Sequence, residues 1–568
     1  MKAEIKDFDF KKSALEKIDK YKYGTNWPVV YILNNEEEAY VGETLDAERR
    51  TEQHLQNPAR SNLKKMHIIT HDTFNKSVIL DLESYLIQHM SSDTLYRLQN
   101  GNGGISNHDY YSRSTYEAGF VEIWSQLRKL GIAQHTITEI ENSDLFKYSP
   151  YKALTKDQVD VMYRVLDLLM ENKEHLDEGG ELEDNTCILV EGSAGTGKTV
   201  LAIYLMKILT ELDEESLYGE AYDLDYLEEG EDFHILAEQI ELHDVGLVIP
   251  QQSLRKTVKN VFKSVAGLDD EMVISPLEVP KKHYDLLIVD EAHRLRQRKA
   301  LNQYPPFDDN NRKLGLDKYE GTELDWIFAC SDMQLLFYDP KQSVKPSDIP
   351  QEIFSQKTLA RSYGRVFLTT QMRCRGGSEY VEYVRKIFSE TPPASRMTFD
   401  EYDVRLYDDV GRMTEDIREL DQKYGLCRTV AGYAWKWESK KDKTAYDIEI
   451  GDFKSRWNST SEDWINSENS VNEIGCIHTV QGYDLNYAGV IFGNEISYDF
   501  EKQSFTVDKK KYFDHQGKTA LRSEKALHDY ILNIYMTLMT RGIRGTFLYV
   551  CDDDLRMYLE KFFEPYRK

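Results

Sequence analysis

Cys187-Ile188-Leu189-Val190-Glu191 runs straight into Gly192-Ser193-Ala194-Gly195-Thr196-Gly197-Lys198-Thr199, and the helical pattern TVLAIYLMKIL follows from Thr199. A buried strand, a glycine-rich turn and a helix start are the context a phosphate-binding loop requires. Gly192, Gly195 and Gly197 let backbone N–H groups curl around a triphosphate, and the helix N-terminus adds favourable potential. Lys198 is placed to reach the β- and γ-phosphates, and the Thr199 hydroxyl to ligate Mg²⁺ (or Mn²⁺). Further on, Tyr284-Asp285-Leu286-Leu287-Ile288-Val289-Asp290-Glu291-Ala292-His293 sets two acids at the end of an apolar run. Beside such a loop, Asp290 suits the metal and Glu291 the attacking water.

Other runs of the same kind flank these two: VGLVIPQ, QLLFYDP, RVFLTT, YAGVIFG and GTFLYV, separated by helical patterns. Continuous apolar runs between helices read as buried parallel strands, hence one or two doubly wound α/β domains. With 568 residues the chain exceeds a single core. Four stretches are expected: 1–112, a helical connector over 113–149 ending near Ser149-Pro150, a first ATPase lobe over 150–350, and a second over 351–568. Lys plus Arg number 71 against 98 Asp plus Glu, a net charge of −27, which argues against a loose nucleic-acid coat protein. The stretch 211–241 holds 13 of those acids and no Lys or Arg, the pattern of a solvated insertion or of a nucleic-acid mimic. Six cysteines with no C-x-x-C pair point away from zinc modules and disulfide frameworks. No run approaches the ~18 apolar residues of a membrane span. MKAEIKDFDFKK has no apolar signal core, so a cytoplasmic protein with no membrane partner is expected.

Near the N-terminus, Trp27–Leu33 and Glu38–Thr44 read as two short strands around an acidic turn. Arg50 and His54 then share a helical face, Glu83 lies in the helical LDLESYLIQHM, and Asn100 opens LQNGNGG. Two tyrosines (Tyr31, Tyr40), an Arg, a His, a Glu and an Asn suit phosphodiester hydrolysis. Glu83 is the candidate metal ligand. A tyrosine or His54 is the candidate for deprotonating water, and Arg50 for stabilising added negative charge. Two aromatic stretches, Trp435–Lys441 and Arg456-Trp457-Asn458, suit either base stacking or a core, and Lys345–Pro350 suits a hinge between lobes.

These motifs fall into an order that resembles superfamily 1 helicases and, more closely, a Schlafen-like prokaryotic ATPase family. Leu154-Thr155-Lys156-Asp157-Gln158 is similar to the adenine-reading glutamine motif, and Val248–Val258 to the segment that touches single-stranded nucleic acid. Tyr338–Ser343 resembles the motif whose Gln342 senses the γ-phosphate, and Thr369–Cys374 the arginine motif, with Arg373. Ile477–Asp484, with Gln481, and Met539–Gly542, with Arg541, resemble the last two, while Arg428–Trp437 matches the Schlafen-like family in particular. The resemblance implies ATP bound between two RecA-like parallel-sheet lobes over about residues 150–568, with Arg373 and Arg541 closing on the γ-phosphate. That span leaves little room for the insertions of processive unwinding helicases.

Residues 27–104 resemble the GIY-YIG endonucleases. Tyr31 matches the first tyrosine, Tyr40-Val41-Gly42 the second triplet, Arg50 and His54 the helix pair, Glu83 the metal ligand and Asn100 the closing asparagine. Val29-Val30 and Val41 depart from the pattern at packing positions. Together the resemblances imply a small α+β metal-dependent nuclease fused to a helicase-like ATPase acting on DNA (or RNA). They imply a role in bacterial defence against phage or foreign DNA, and a homo-oligomer or a defence partner protein as candidate partners. The rival expectations are a nucleic-acid-gated ATPase switch that does not unwind, and a scaffold whose nuclease fold only binds a partner.

Overall fold

The computed structural model describes residues 2–100, 110–151, 154–177, 186–193, 195–210, 233–265, 267–301, 303–340, 342, 347–372, 374–460, 464–480, 483–514, 518 and 523–566. The N-terminal unit is a five-stranded sheet of Glu4–Asp9 (β1), Val29–Asn34 (β2), Glu38–Thr44 (β3), Lys65–Thr70 (β4) and Arg97–Leu98 (β5). Its order is β1-β4-β2-β3-β5, antiparallel except for the β3–β5 pair. β2 is buried along its whole length because alternate residues serve two cores. Val29, Tyr31 and Leu33 pack towards Ala47 of helix Ala47–Gln56 (α1), while Val30 and Ile32 pack towards Leu82 and Leu86 of helix Lys76–Asp93 (α2). The period of two in a strand produces that split.

The segment expected as a connector is built into this unit. Phe120, Ile123, Trp124 and Leu127 of helix Arg113–Lys129 (α3) join the α2 side of the core. Two short helices follow, Ile137–Asn142 (α4), opened by a Thr136–Glu139 capping box, and Asp144–Lys147 (α5), capped by Ser143. Burial of those apolar side chains, rather than linker chemistry, sets the geometry here.

The next unit comprises helix Lys156–Asp177 (α6), Cys187–Gly192 (β6), helix Lys198–Thr210 (α7), Val245–Val248 (β7) and helix Gln252–Ser264 (α8). It continues with Val273–Ile274 (β8), Tyr284–Val289 (β9), Ser331–Tyr338 (β10) and Ser362–Leu368 (β11). The sheet order is β11-β6-β10-β9-β7-β8, with every pair parallel. Both faces are covered: Ile188, Val190 and Ile288 enter one core, Leu189, Leu287 and Val289 the other. α8 serves two units at once. Leu254, Val258 and Phe262 join the first lobe's core, whereas Val261 and the adjoining Val265 join the N-terminal core.

The expected boundary at 350/351 needs correction. β11 pairs along β6, so the first lobe runs to Leu368. Nor do the described residues of Lys345–Pro350 form a hinge: Gln297 N donates to Ser347 O and Ile349 N to Leu295 O, both at 2.8 Å, which ties them to the first lobe.

The second lobe contains Asp403–Tyr407 (β12), helix Val410–Tyr424 (α9), Cys427–Ala431 (β13), the hairpin Ile448–Ile450 (β14) and Phe453–Ser455 (β15), and Ile474–Cys476 (β16). Leu485–Phe492 (β17), the hairpin Ile496–Asp499 (β18) and Ser504–Val507 (β19), helix Glu524–Met539 (α10), Gly542–Val550 (β20) and Pro565–Tyr566 (β21) complete it. Its sheet order is β16-β13-β17-β20-β12-β21, again all parallel. Met413 and Ile417 of α9 cover one face, Ile531, Tyr535 and Leu538 of α10 the other. Trp457 is buried in the core on the α9 side, which removes it as a base-stacking platform. The observed class is thus α/β with two parallel sheets behind a small mixed unit. Among the described residues, no helix is long and apolar enough to cross a membrane.

Candidate functional site

The glycine-rich loop joins β6 to α7. Gly195 and Gly197 both have φ +83°, a left-handed conformation that side chains resist. At Gly197 space is short as well: an added Cβ would overlap the Gln158 side-chain amide. Gln158, buried on α6, accepts from Thr155 N at 3.1 Å and reaches Thr196 O at 3.5 Å, so the glutamine motif lies against the loop. Lys198 Nζ donates to the loop's own Gly192 O (2.7 Å) and Ser193 O (2.9 Å). Thr199 Oγ1 donates to Asp290 Oδ2 at 2.7 Å.

Asp290 follows β9 fully buried, and its Oδ1 has no hydrogen-bond partner among the described residues. Burial first, and the charge of Glu291 second, raise its carboxyl above the usual carboxylate range. A buried carboxylate with an orphaned oxygen beside a threonine hydroxyl fits an oxygen-ligated divalent cation, which would supply the missing counter-charge. Glu291 adopts φ +53°, a rare conformation for a side-chain-bearing residue. Burial opposes its ionisation, but His293, Lys198 and Arg294 together hold its carboxyl well below the usual range. The His293 ring Nε2 lies 3.0 Å from Glu291 Oε2.

These groups open onto a cavity of about 480 Å³, a size common for small-molecule sites. Gly195, Gly197, Lys198, Thr199, Glu291 and Gln342 line it from the first lobe, and Asp484, Arg541 and Arg544 from the second. The third wall is the connector, through Thr138, Glu141 and Asn142 of α4 and Phe146 of α5. Gln342 Nε2 donates to Asp339 Oδ2 at 2.7 Å, and Arg541 is buried where α10 turns into β20. The lead-in to the second lobe is fastened twice. Asp157 of α6 accepts from Thr369 N and Thr370 N, both at 2.9 Å, and Met372 N donates to Gly195 O at 2.8 Å. Asn142 ties the connector to the second lobe: its amide donates to Tyr424 O at 2.8 Å and accepts from Asn486 Nδ2 at 2.9 Å. Asp144 ties it to the first, accepting from Thr257 Oγ1 at 3.2 Å.

The N-terminal cluster centres on Tyr31 of β2. Its hydroxyl shares a 2.7 Å hydrogen bond with His54 Nε2 and accepts from Arg50 Nε at 3.3 Å. Gly42 faces Tyr31 across the β2–β3 ladder, and a Cβ there would overlap the Tyr31 hydroxyl. The Tyr40 ring lies 5.1 Å from the His54 ring, and the Arg60 guanidinium sits 4.0 Å over Tyr40. Burial, followed by the charges of Arg50 and Arg60, lowers His54 to about 3, so its imidazole is neutral at ordinary pH. Asn100 holds the strand rather than the cluster: Oδ1 accepts from Val41 N at 3.0 Å and Nδ2 donates to Val41 O at 2.8 Å. Glu83 sits half-buried in α2. Among the described residues no three His, Cys, Asp or Glu side chains form a ready metal cage.

The Schlafen group 3 DNA/RNA helicase domain matches residues 185–552, well over half of the chain. The chain belongs to this Schlafen family. Its helicase-like ATPase unit therefore coincides with the two parallel-sheet lobes, and the match leaves the N-terminal unit outside. An uncharacterized protein of Saccharomyces cerevisiae is 26% identical to this Schlafen chain over 447 residues, covering 73% of this chain and 91% of the yeast protein. Among solved structures, an Arterivirus nonstructural protein 10 helicase in complex with DNA is 11% identical, with a TM-score of 0.29, over 69% of this chain and 65% of the viral one. The Pif1 helicase of Candida albicans is 11% identical with a TM-score of 0.28, over 70% of this chain and 94% of that one.

Of the candidates read from the sequence, Gln158, Gly192, Gly195, Gly197, Lys198, Thr199, Asp290, Glu291, Gln342 and Arg541 gather around the one cavity or its loop. Tyr31, Tyr40, Arg50 and His54 form the second cluster. Arg373, Gln481, the glycines of 101–104 and residues 211–232 of the acidic stretch lie outside the described residues. Sequence reasoning missed Asp157, Arg60, Glu141 and Asn142. Asp157 sits within the quoted glutamine motif, but an ordinary acid there carries no signal until its two backbone partners are seen.

Proposed function

We propose that the chain hydrolyses ATP on single-stranded DNA or RNA and that its N-terminal unit cleaves phosphodiester bonds. The observation that carries the first half is the Lys198, Thr199–Asp290 and Glu291 constellation opening onto a cavity that Arg541 completes from the second lobe. Lys198 exchanges its carbonyl partners for phosphate oxygens. Thr199 and Asp290 would hold Mg²⁺ (or Mn²⁺), which would neutralise charge on the phosphates. Anionic Glu291 orients the attacking water, and Arg541 meets the charge that develops on the transferred group, so turnover requires the lobes to close. Lys198→Ala is expected to lower kcat for ATP at least about 100-fold. A variant with wild-type turnover would sink this half.

For the second half, the support is the Tyr31–His54–Arg50 contact. A neutral His54 presents an unprotonated ring nitrogen to the Tyr31 hydroxyl and fixes its orientation, Arg50 brings positive charge to the phosphate, and Glu83 is the metal-binding carboxylate. Cleavage of linear, supercoiled and single-stranded DNA and of RNA, with Mg²⁺ or Mn²⁺ and with or without ATP, tests it. Glu83→Ala is expected to abolish cutting and leave ATP hydrolysis intact. Defence against phage or foreign DNA is the setting proposed for such a fusion, on resemblance alone. The burial of Tyr31 and His54, 0% and 4% exposed, favours a second reading in which this unit only binds a partner. Unchanged activities in Glu83→Ala would select it.

A further inference from the structure

The strand of chain leaving Glu291 carries three arginines at alternate positions, and they are treated differently. Arg296 is saturated by buried Glu323: its Nε and Nη2 donate to Oε1 at 2.8 and 2.6 Å, and its N to Oε2 at 2.8 Å. Arg298 is held by Asp308, with Nε to Oδ1 at 2.5 Å and Nη2 to Oδ2 at 2.9 Å. Arg294 is only 6% exposed, yet Nε, Nη1 and Nη2 all lack a hydrogen-bond partner among the described residues. Its nearest carboxylates stand just out of reach, Glu291 Oε2 at 3.9 Å from Nε and Asp348 Oδ2 at 3.9 Å from Nη1. A guanidinium that carries its donors on a rigid fork normally satisfies them when buried. One left open between two carboxylates is arranged for a second state of the molecule.

Both carboxylates belong to the hydrolytic machinery or its frame. Glu291 lines the cavity. Asp348 is fixed by the 295–297 pairing described above and follows Gln342 along the chain. The cluster also faces the second lobe, because the buried Tyr530 hydroxyl of α10 lies in the field of Asp514, Asp348 and Arg294. We infer that Arg294 is a positioning residue: lobe closure brings its guanidinium onto Glu291 and Asp348 together and so aims Glu291 at the water. The shift needed is about 1 Å, from the present separation to a charge-assisted hydrogen bond. Arg294 acts through Glu291, and the inference rests on the ATP-hydrolysis reading.

The test is steady-state ATP hydrolysis at saturating single-stranded DNA or RNA, with binding of a fluorescent ATP analogue measured in parallel. Arg294→Gln is expected to lower kcat about 10- to 100-fold while KM and analogue affinity stay within about threefold, the split that follows from losing a group used only in the hydrolytic state. Arg294→Lys, which keeps the charge, is expected to fall between. In a Glu291→Gln background, Arg294→Gln should cost no further rate, since two residues acting as one unit are not additive. An unchanged kcat, a loss that adds to that of Glu291→Gln, or a parallel loss of nucleotide affinity would overturn the inference. Should Arg294→Gln fail to fold, Asp348→Asn decides in its place, with the same kcat split expected and the same outcomes against it. Lys198→Ala and Glu291→Gln run alongside: activity in both would sink the ATP-hydrolysis reading itself, whereas their inactivity beside a normal Arg294→Gln would sink only the inference.

Discussion

Tyr31, Gly42 and His54 make a tight test of residue-scale chemistry. Gly42→Ala would push the Tyr31 hydroxyl away from His54, since a Cβ has no room beside it. The expected cost is about 1–3 kcal/mol of stability, read by urea melting, together with lost cleavage. His54 gives a pH signature. Its folded value of about 3 lies below the unfolded one near 6.5, so the unfolded chain binds the extra proton as pH falls between them. The His54 contribution to stability should therefore decrease below pH 6.5 by up to about 1.4 kcal/mol per pH unit, read as the difference between wild type and His54→Gln in thermal melts. Both candidate clusters were legible at this scale because phosphate and phosphodiester chemistry restrict residue type and spacing. Arg294, Asp157 and Asn142 were not, because their meaning lies in which partners the fold supplies or withholds.

At the scale of elements, the apolar runs read as parallel strands became β6, β7, β9, β10, β11, β17 and β20. β12 escaped that reading: DVRLY alternates charge with apolar residues, and the strand is only partly buried. The lobe boundary was misplaced for a related reason, since a strand's sheet is set by its hydrogen-bond partner and not by its place in the chain. Just beyond β17 lies a second titrating group. Glu495 is buried, accepts from Tyr535 OH at 2.5 Å through Oε1, and its Oε2 has no hydrogen-bond partner among the described residues. Burial pushes its carboxyl up to about 7. The folded lobe holds this proton more tightly than the unfolded chain, so its contribution is full below about pH 4.5 and fades as pH rises through 7. Because His54 pulls the other way below pH 6.5, the decline is read in a His54→Gln background: thermal melts from pH 5 to 8 should show it there, and adding Glu495→Gln should remove it.

For the whole molecule, the connector matters most. α4 and α5 line the cavity beside the glycine-rich loop, bond to both lobes and rest on the core that α2, the helix carrying Glu83, helps to build. A change of lobe spacing would therefore reach the N-terminal unit through packed helices. Asn142→Ala, which deletes the bonds to Tyr424 and Asn486, is expected to make cleavage rates with and without ATP converge. ATP hydrolysis should stay within about threefold. A persisting ATP effect on cleavage would show that the signal travels elsewhere. Nothing in the linear sequence announces this arrangement, because helix α4 is short and its partners are 282 and 344 residues away.

α8 carries a consequence for how such a chain can be shuffled over evolutionary time. Its Val261 and Val265 are shared with the N-terminal unit, 1% and 7% exposed. A motor starting near residue 150 would present an oily seam where that unit had been, and a transplanted replacement would have to match the seam's contour before it could do anything useful. The two halves are thus not interchangeable cassettes. A lineage that gains or loses the N-terminal unit must also rewrite the outer face of a helix deep within the motor's own sequence, and that compensating change is a mark by which such an exchange could be recognised.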